Sequence, residues 1–74
     1  MNKKEFLNAL EEILNVPQNS LNENDKLDDF EEWDSIAYLE ITVLFSKEFS
    51  IDVKPEEIKL SSTVKDLLGV CKLC

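Results

Sequence analysis

The sequence predicts a small all-α domain: a bundle of three main helices and one short helix, with a long loop between helices 1 and 2. Apolar residues recur at helical spacing in three separate stretches. No stretch alternates apolar and polar residues for long enough to build a sheet. Seventy-four residues supply one modest core, since a chain this short buries only about 60% of its unfolded surface. Short helices around one core, without a strand pattern, make a small bundle. A single domain over residues 1–74 is expected, with its core at about 3–71 and residues 72–74 frayed.

The first helix is expected over residues 3–15. Phe6, Leu10 and Ile13 recur at i, i+4, i+7, and Leu7 and Leu14 widen the stripe. Asn2 followed three residues later by Glu5 resembles a capping box. Pro17 is expected to end the helix by biasing the residue before it away from the helical region.

From Pro17 to Trp33 the periodicity is lost. Connections of that length are uncommon in compact domains and are usually functional or disordered. Leu21, Leu27 and Phe30 are spaced to dip into the core and pin the loop. Ser20-Leu21-Asn22-Glu23 is expected to start a helical turn. A calcium loop beginning at Asn22 fails on three positions. Lys26 stands at the fifth, Leu27 replaces the glycine of the sixth, and Trp33 replaces the glutamate of the twelfth.

The second helix is expected over residues 35–49. At about 100° per residue, Ala37, Tyr38, Ile41, Leu44, Phe45 and Phe49 share the arc that suits the core. Ile36, Leu39 and Val43 fall on a different arc, with Ser35, Ser46 and Lys47. Angles alone leave two readings open: an arc covered by the long loop, or an exposed apolar strip available to partners. Ile51-Asp52-Val53 is too short an alternation for a sheet and is expected to be loop. Pro55 opens the short helix through Ile58. Thr63-Val64-Lys65-Asp66 fits a capping pattern for the last helix, whose apolar face is Val64, Leu67, Leu68 and Cys71.

Composition narrows the function. Hydrophobic content of 43% with 32% charged residues reads as a globular protein rather than a disordered one. No apolar run approaches the ~20 residues of a membrane span, and the Met-Asn-Lys-Lys start lacks a signal peptide's apolar segment, so a cytoplasmic location is expected. A net charge of −8 argues against nucleic acid and toward basic partner surfaces. Seven of the sixteen acids (Glu23, Asp25, Asp28, Asp29, Glu31, Glu32 and Asp34) lie just before Ser35, with only Lys26 to offset them. The chain has no histidine, which removes the usual base of Ser–His and Cys–His nucleophilic sites. Cys71 and Cys74 form a C-x-x-C that suits a redox pair or half a zinc site. With no second ligand pair, and with Cys71 on an apolar face, a buried thiol is the better reading.

The chemistry converges where the acidic loop meets the second helix. Asp34 suits a helix N-terminus, where its carboxylate accepts from backbone N–H groups and is favoured by the helix dipole. An anionic ester on Ser35 would lie in the same field. Ser35 is therefore the candidate point of covalent attachment.

Asp34-Ser35-Ile36 at the head of the second helix, after a long loop, resembles the attachment motif of acyl and peptidyl carrier proteins. The likeness continues through Leu39-Glu40-Ile41, Lys47-Glu48-Phe49 with Ile51, Pro55-Glu56-Glu57-Ile58 and Thr63-Val64-Lys65-Asp66-Leu67, and spans Phe6 to about Leu68. It implies that Ser35 receives 4′-phosphopantetheine from coenzyme A through a phosphopantetheinyl transferase. The arm's thiol would then carry acyl or aminoacyl groups as thioesters to loading and transfer enzymes with basic docking surfaces. The carrier itself would be a monomer without catalytic activity, metal or membrane partner. Asp34, Ile36, Leu39, Glu40 and Val43 would meet those partners.

Ile36 stands where leucine is commoner in the family, and Glu32 where glycine is frequent. Trp33 before the Asp-Ser pair resembles free-standing carriers that serve amino-acid-activating enzymes. Lys47 among Glu40 and Glu48 makes the second helix less acidic than in typical fatty-acid carriers, which favours a specialised pathway. Two other readings compete: an unmodified acidic adaptor binding a basic partner, and a thiol redox protein built on Cys71 and Cys74.

Overall fold

In the computed structural model, which describes residues 1–73, the chain forms α1 (Lys3–Leu14), a 3₁₀ turn (Leu27–Asp29), α2 (Ser35–Phe49), α3 (Pro55–Lys59) and α4 (Val64–Val70). Three main helices, one short helix and a long first connection are the expected architecture. Among the described residues there is no strand, only an isolated antiparallel bridge between Lys26 and Thr63. None of the helices is long and apolar enough to cross a membrane.

α1 begins with a reciprocal cap. Asn2 Oδ1 accepts from the Glu5 N–H at 2.8 Å, and Glu5 Oε1 accepts from the Asn2 N–H at 3.0 Å. The helix stops before Pro17 can act on it. Asn15 turns into the left-handed region (φ 57°), where asparagine is tolerated better than most residues. The Asn15 and Val16 N–H groups then return to the Glu12 and Glu11 carbonyls at 3.2 and 3.0 Å, closing a Schellman motif. The buried stripe of α1 is Phe6, Leu10 and Leu14, with Leu7 and Ile13 half-buried at its edges.

Glu11 is also buried, at 2% exposure. Its Oε2 accepts from the Leu21 N–H at 3.0 Å, while Oε1 has no hydrogen-bond partner among the described residues. A charge in that position is costly without a donor, and the donor it finds belongs to the loop. One end of the loop is thereby fastened to α1.

The loop is pinned at several points. In place of a helical turn at Ser20, residues 22–25 form a tight turn. The Asp25 N–H donates to the Asn22 carbonyl at 3.1 Å, and Asp25 Oδ2 accepts from the Asn22 N–H at 2.9 Å. The same kind of bond caps α1, but here no helix follows it and the backbone goes on to pair with residues 62–65. The chain next runs beside the start of α4. The Leu27 N–H donates to the Ser62 carbonyl at 2.9 Å, Val64 to Asp25 at 3.1 Å and Lys65 to Glu23 at 2.9 Å. Leu21 and Leu27 are buried and Phe30 half-buried, as their spacing suggested. Lys3 meets Glu23 at 2.6 Å and holds that carboxyl below its usual range. The pair is solvent-accessible, so it steadies the loop only slightly.

α4 begins at the expected Thr63–Asp66 cap. Asp66 Oδ2 accepts from the Ser62 and Thr63 N–H groups at 2.9 and 3.1 Å, and these bonds hold its carboxyl below the usual range. The helix closes with a second Schellman motif. Lys72 is left-handed (φ 59°), its N–H reaches the Gly69 carbonyl at 3.3 Å, and the Leu73 N–H reaches Leu68 at 2.9 Å. Residues 72 and 73, expected to fray, are hydrogen-bonded back to α4 here.

The centre of the core is aromatic. Phe6 stacks on Phe45 with centroids 5.6 Å apart, and Phe49 meets Phe6 edge-on at 6.0 Å. Such pairs add to the area they bury. Ile41, Ile58, Val64, Leu67 and Leu68 close around them. Phe45→Ala should therefore lower unfolding free energy by about 3–5 kcal/mol, a large fraction of what a small domain possesses. Urea denaturation checks this, and a near-native midpoint would remove Phe45 from the centre of the core.

Candidate functional site

Two neighbouring residues fix where α2 starts. Trp33 is 9% exposed, with its ring edge-on to Tyr38 at 4.9 Å and its N–H donating to the Phe30 carbonyl at 3.2 Å. Asp34, next in sequence, is exposed and extended. Its Oδ1 accepts from the Ile36 and Ala37 N–H groups, each at 3.1 Å, and its carbonyl accepts the Tyr38 N–H at 3.0 Å. This is the N-cap geometry that its residue type suits. Oδ2 has no partner among the described residues.

Ser35 is thus the first residue of α2, and it is exposed. Its hydroxyl makes no hydrogen bond with any described residue. The chain has no histidine, the usual base of serine nucleophiles. Such an oxygen suits modification by an external catalyst rather than attack on a substrate of its own. Asp34 already occupies the Ile36 and Ala37 N–H groups. An anionic ester on Ser35 would feel the helix dipole but receive neither of those donors.

The strip beside the serine faces solvent. Ile36, Leu39 and Val43 are 66%, 55% and 62% exposed, whereas Ala37, Ile41 and Phe45 are buried. That exposure means that the long loop does not cover this arc. Glu40 is exposed at its edge, and Asp28, Asp29, Glu31 and Glu32 are exposed on the loop. Three large apolar side chains within two helical turns, flanked by acids, form a patch rather than scattered surface residues.

A cleft of about 440 Å³ between α1 and α2 extends this surface. Ala9, Glu12 and Ile13 form its α1 wall, opposite Leu39, Val43 and Lys47. Sequence reasoning did not find it, because α1 residues at the edge of an apolar stripe do not reveal which neighbour they face. The only local signal was the small side chain of Ala9 beside the half-buried Ile13.

Cys71 belongs to the core. It is buried, with Sγ 3.6 and 3.5 Å from the Leu67 and Leu68 carbonyls. That agrees with the buried-thiol reading. Cys74, the other half of the C-x-x-C, falls outside the described residues.

Residues 4–71 match the family model described as the phosphopantetheine attachment site. No curated protein and no solved structure gives a significant match.

The cap is open to direct test. Asp34→Ala should cost about 1 kcal/mol of stability and speed amide hydrogen exchange at Ile36 and Ala37, whereas Asp34→Asn should stay close to the parent. Unchanged exchange in the alanine variant would mean that the carboxylate does not hold the helix start.

Proposed function

Because the chain belongs to the phosphopantetheine attachment family, we propose that Ser35 is its attachment point and that it delivers acyl or aminoacyl groups to biosynthetic enzymes. The covalent group of this family, 4′-phosphopantetheine, supplies a terminal thiol that holds cargo as a thioester. One observation supports the assignment to Ser35 above all. Its hydroxyl is exposed, makes no hydrogen bond with a described residue, and stands at a capped helix start within Asp34-Ser35-Ile36.

In loading, the Ser35 oxygen attacks the coenzyme A phosphorus that bears the pantetheine, and a phosphodiester forms. The bond to the nucleotide breaks, adenosine 3′,5′-bisphosphate leaves, and the serine proton passes to a base on the transferase. Asp34 keeps the serine at the first helical position and offers Oδ2 to the divalent ion that the transferase brings. Neither role requires a base within this chain.

Ile36, Leu39 and Val43 form the apolar part of the docking surface, with Glu40 and the loop acids around it. Acids in that arrangement attract the phosphopantetheinyl transferase, loading enzymes and transfer enzymes through basic surfaces, chiefly by raising association rates. The effect should weaken with salt. Lys47 among Glu40 and Glu48 favours a specialised pathway over fatty-acid synthesis. The carrier acts as a monomeric single domain in the cytoplasm, where coenzyme A is available.

Incubation with coenzyme A, Mg²⁺ and a broad-specificity transferase should add the mass of one phosphopantetheinyl group, and Ser35→Ala should abolish the gain. No gain under conditions that modify a control carrier would favour the unmodified adaptor. Leu39→Asp and Val43→Asp should change stability by no more than about 0.5 kcal/mol while slowing turnover by partner enzymes. Loss of the far-UV helical signal in either variant would return those side chains to the core.

A further inference from the structure

We propose that the cleft between α1 and residues 19–21 of the loop binds a free α-amino acid with an aliphatic side chain. The cleft holds about 370 Å³, on the scale of small-molecule sites. Glu11 lines it and is 2% exposed. Its Oε2 accepts from the Leu21 N–H, whereas Oε1 is buried with no hydrogen-bond partner among the described residues. A buried carboxylate with one oxygen unserved is costly and calls for a donor. The terminal torsion of glutamate is broad, so a small turn presents Oε1 to whatever enters the cleft.

The charges of the lining select that donor. Lys3 and Lys4 also border the cleft, and Lys3 is paired with Glu23. Lys4 and Glu11 are then the two charges of the lining without a counterion among the described residues, and they are opposite in sign. Seven residues apart on one face of α1, they stand about 10.5 Å apart along the axis, too far to pair with each other. A simple cation at Glu11 would meet the repulsion of Lys4. A simple anion at Lys4 would meet a carboxylate that has nothing to donate. A zwitterion satisfies both ends.

Its dimensions agree. An ammonium and a carboxylate on one carbon, with a hydrogen bond at each end, span about 9 Å, and the flexible stem of Lys4 takes up the difference. Between the ends, Leu7 and Leu21 offer apolar surface to an aliphatic side chain. The Asn8 and Asn19 carboxamides line the same cleft and make no hydrogen bond with a described residue. Each can donate to the ligand's carboxylate or accept from its ammonium. A bound amino acid ties α1 to the loop a second time, beside the Leu21 bond.

The test titrates the intact isotope-labelled protein with L-leucine, leucinamide and N-acetyl-leucine up to millimolar concentrations. Leucinamide lacks the carboxylate and N-acetyl-leucine the ammonium. Expected for leucine are saturable shifts at the Leu21 amide, the Asn8 and Asn19 carboxamides and the Leu7 methyls, and an unfolding temperature that rises with its concentration. N-acetyl-leucine should leave these signals in place, and leucinamide should bind about fivefold more weakly, the upper end for an exposed ion pair. Glu11→Gln, which keeps an acceptor for the Leu21 N–H, should abolish the leucine response. Lys4→Glu should make leucinamide the better ligand. No saturable shift with leucine, which leaves Oε1 to a water alone, would overturn the proposal. So would an equal response to either analogue, or a leucine response that survives Glu11→Gln. The comparison of the three ligands on the parent chain decides the matter even if Glu11→Gln fails to fold. None of these outcomes bears on Ser35, whose own test is the mass gain.

Discussion

The junction at Trp33 and Asp34 fixes the geometry of everything on α2. These adjacent side chains require opposite environments, an aromatic ring packed at the core and a carboxylate bonded to the helix start in water. The chain can satisfy both only by turning from loop to helix at that peptide. Once the Ile36 and Ala37 N–H groups are held by Asp34, helical periodicity sets the direction of every later side chain. Ser35 falls outside, Ala37, Ile41 and Phe45 fall inside, and Leu39 and Val43 follow the serine along the exposed face. A start displaced by one residue would rotate the helix by about 100° relative to the cap. The apolar strip would then be buried and core residues would face solvent.

What α2 leaves uncovered follows from the size of the chain. α2 packs against α1 and α3, and buried residues of α4 and the loop complete the core. No further element is present among the described residues to cover Ile36, Leu39 and Val43. Exposing three large apolar residues forgoes burial energy of about 1.5–3 kcal/mol each. They lie beside an exposed serine and an acidic loop. The acids themselves add to the net charge of −8, which favours solubility and steering but works against the compact state.

Local chemistry made much of this legible. Asp34 and the apolar periodicity together gave α2 its observed bounds, Pro55 gave the start of α3, and Asn2 with Glu5 gave the start of α1. The failures share a cause: each depended on a partner distant in sequence or on a backbone state. Periodicity counts the Glu11 carboxylate as outward, whereas its donor is the Leu21 N–H ten positions away. Asn15 and Lys72 end their helices through left-handed backbone that neither apolar spacing nor proline announced. The tight turn at Asn22–Asp25 is followed by backbone bonds from residues 23–27 to residues 62–65, partners some forty positions away. Whether the Leu39–Val43 arc was covered depended on where α1 and the loop lay. A helical wheel does not contain that information.

The pinned loop bears on how a tethered carrier works. A seventeen-residue connection would ordinarily be the most mobile part of so small a domain. Here Glu11 holds Leu21, the backbone at 23–27 bonds to the start of α4, and Leu27, Phe30 and Trp33 fix the remainder against the core. Tethering raises effective concentration most when the linker matches the distance to be spanned and the ends are well defined. Mobility in the protein at the attachment point would enlarge the volume that the cargo searches and add an ordering cost to each docking event. A pinned loop removes that mobility from the polypeptide and leaves it to the arm. The buried carboxylate of Glu11 then has a rationale that stability alone does not provide. An apolar residue there would pack at lower electrostatic cost, but it could not accept the backbone bond that fastens the loop.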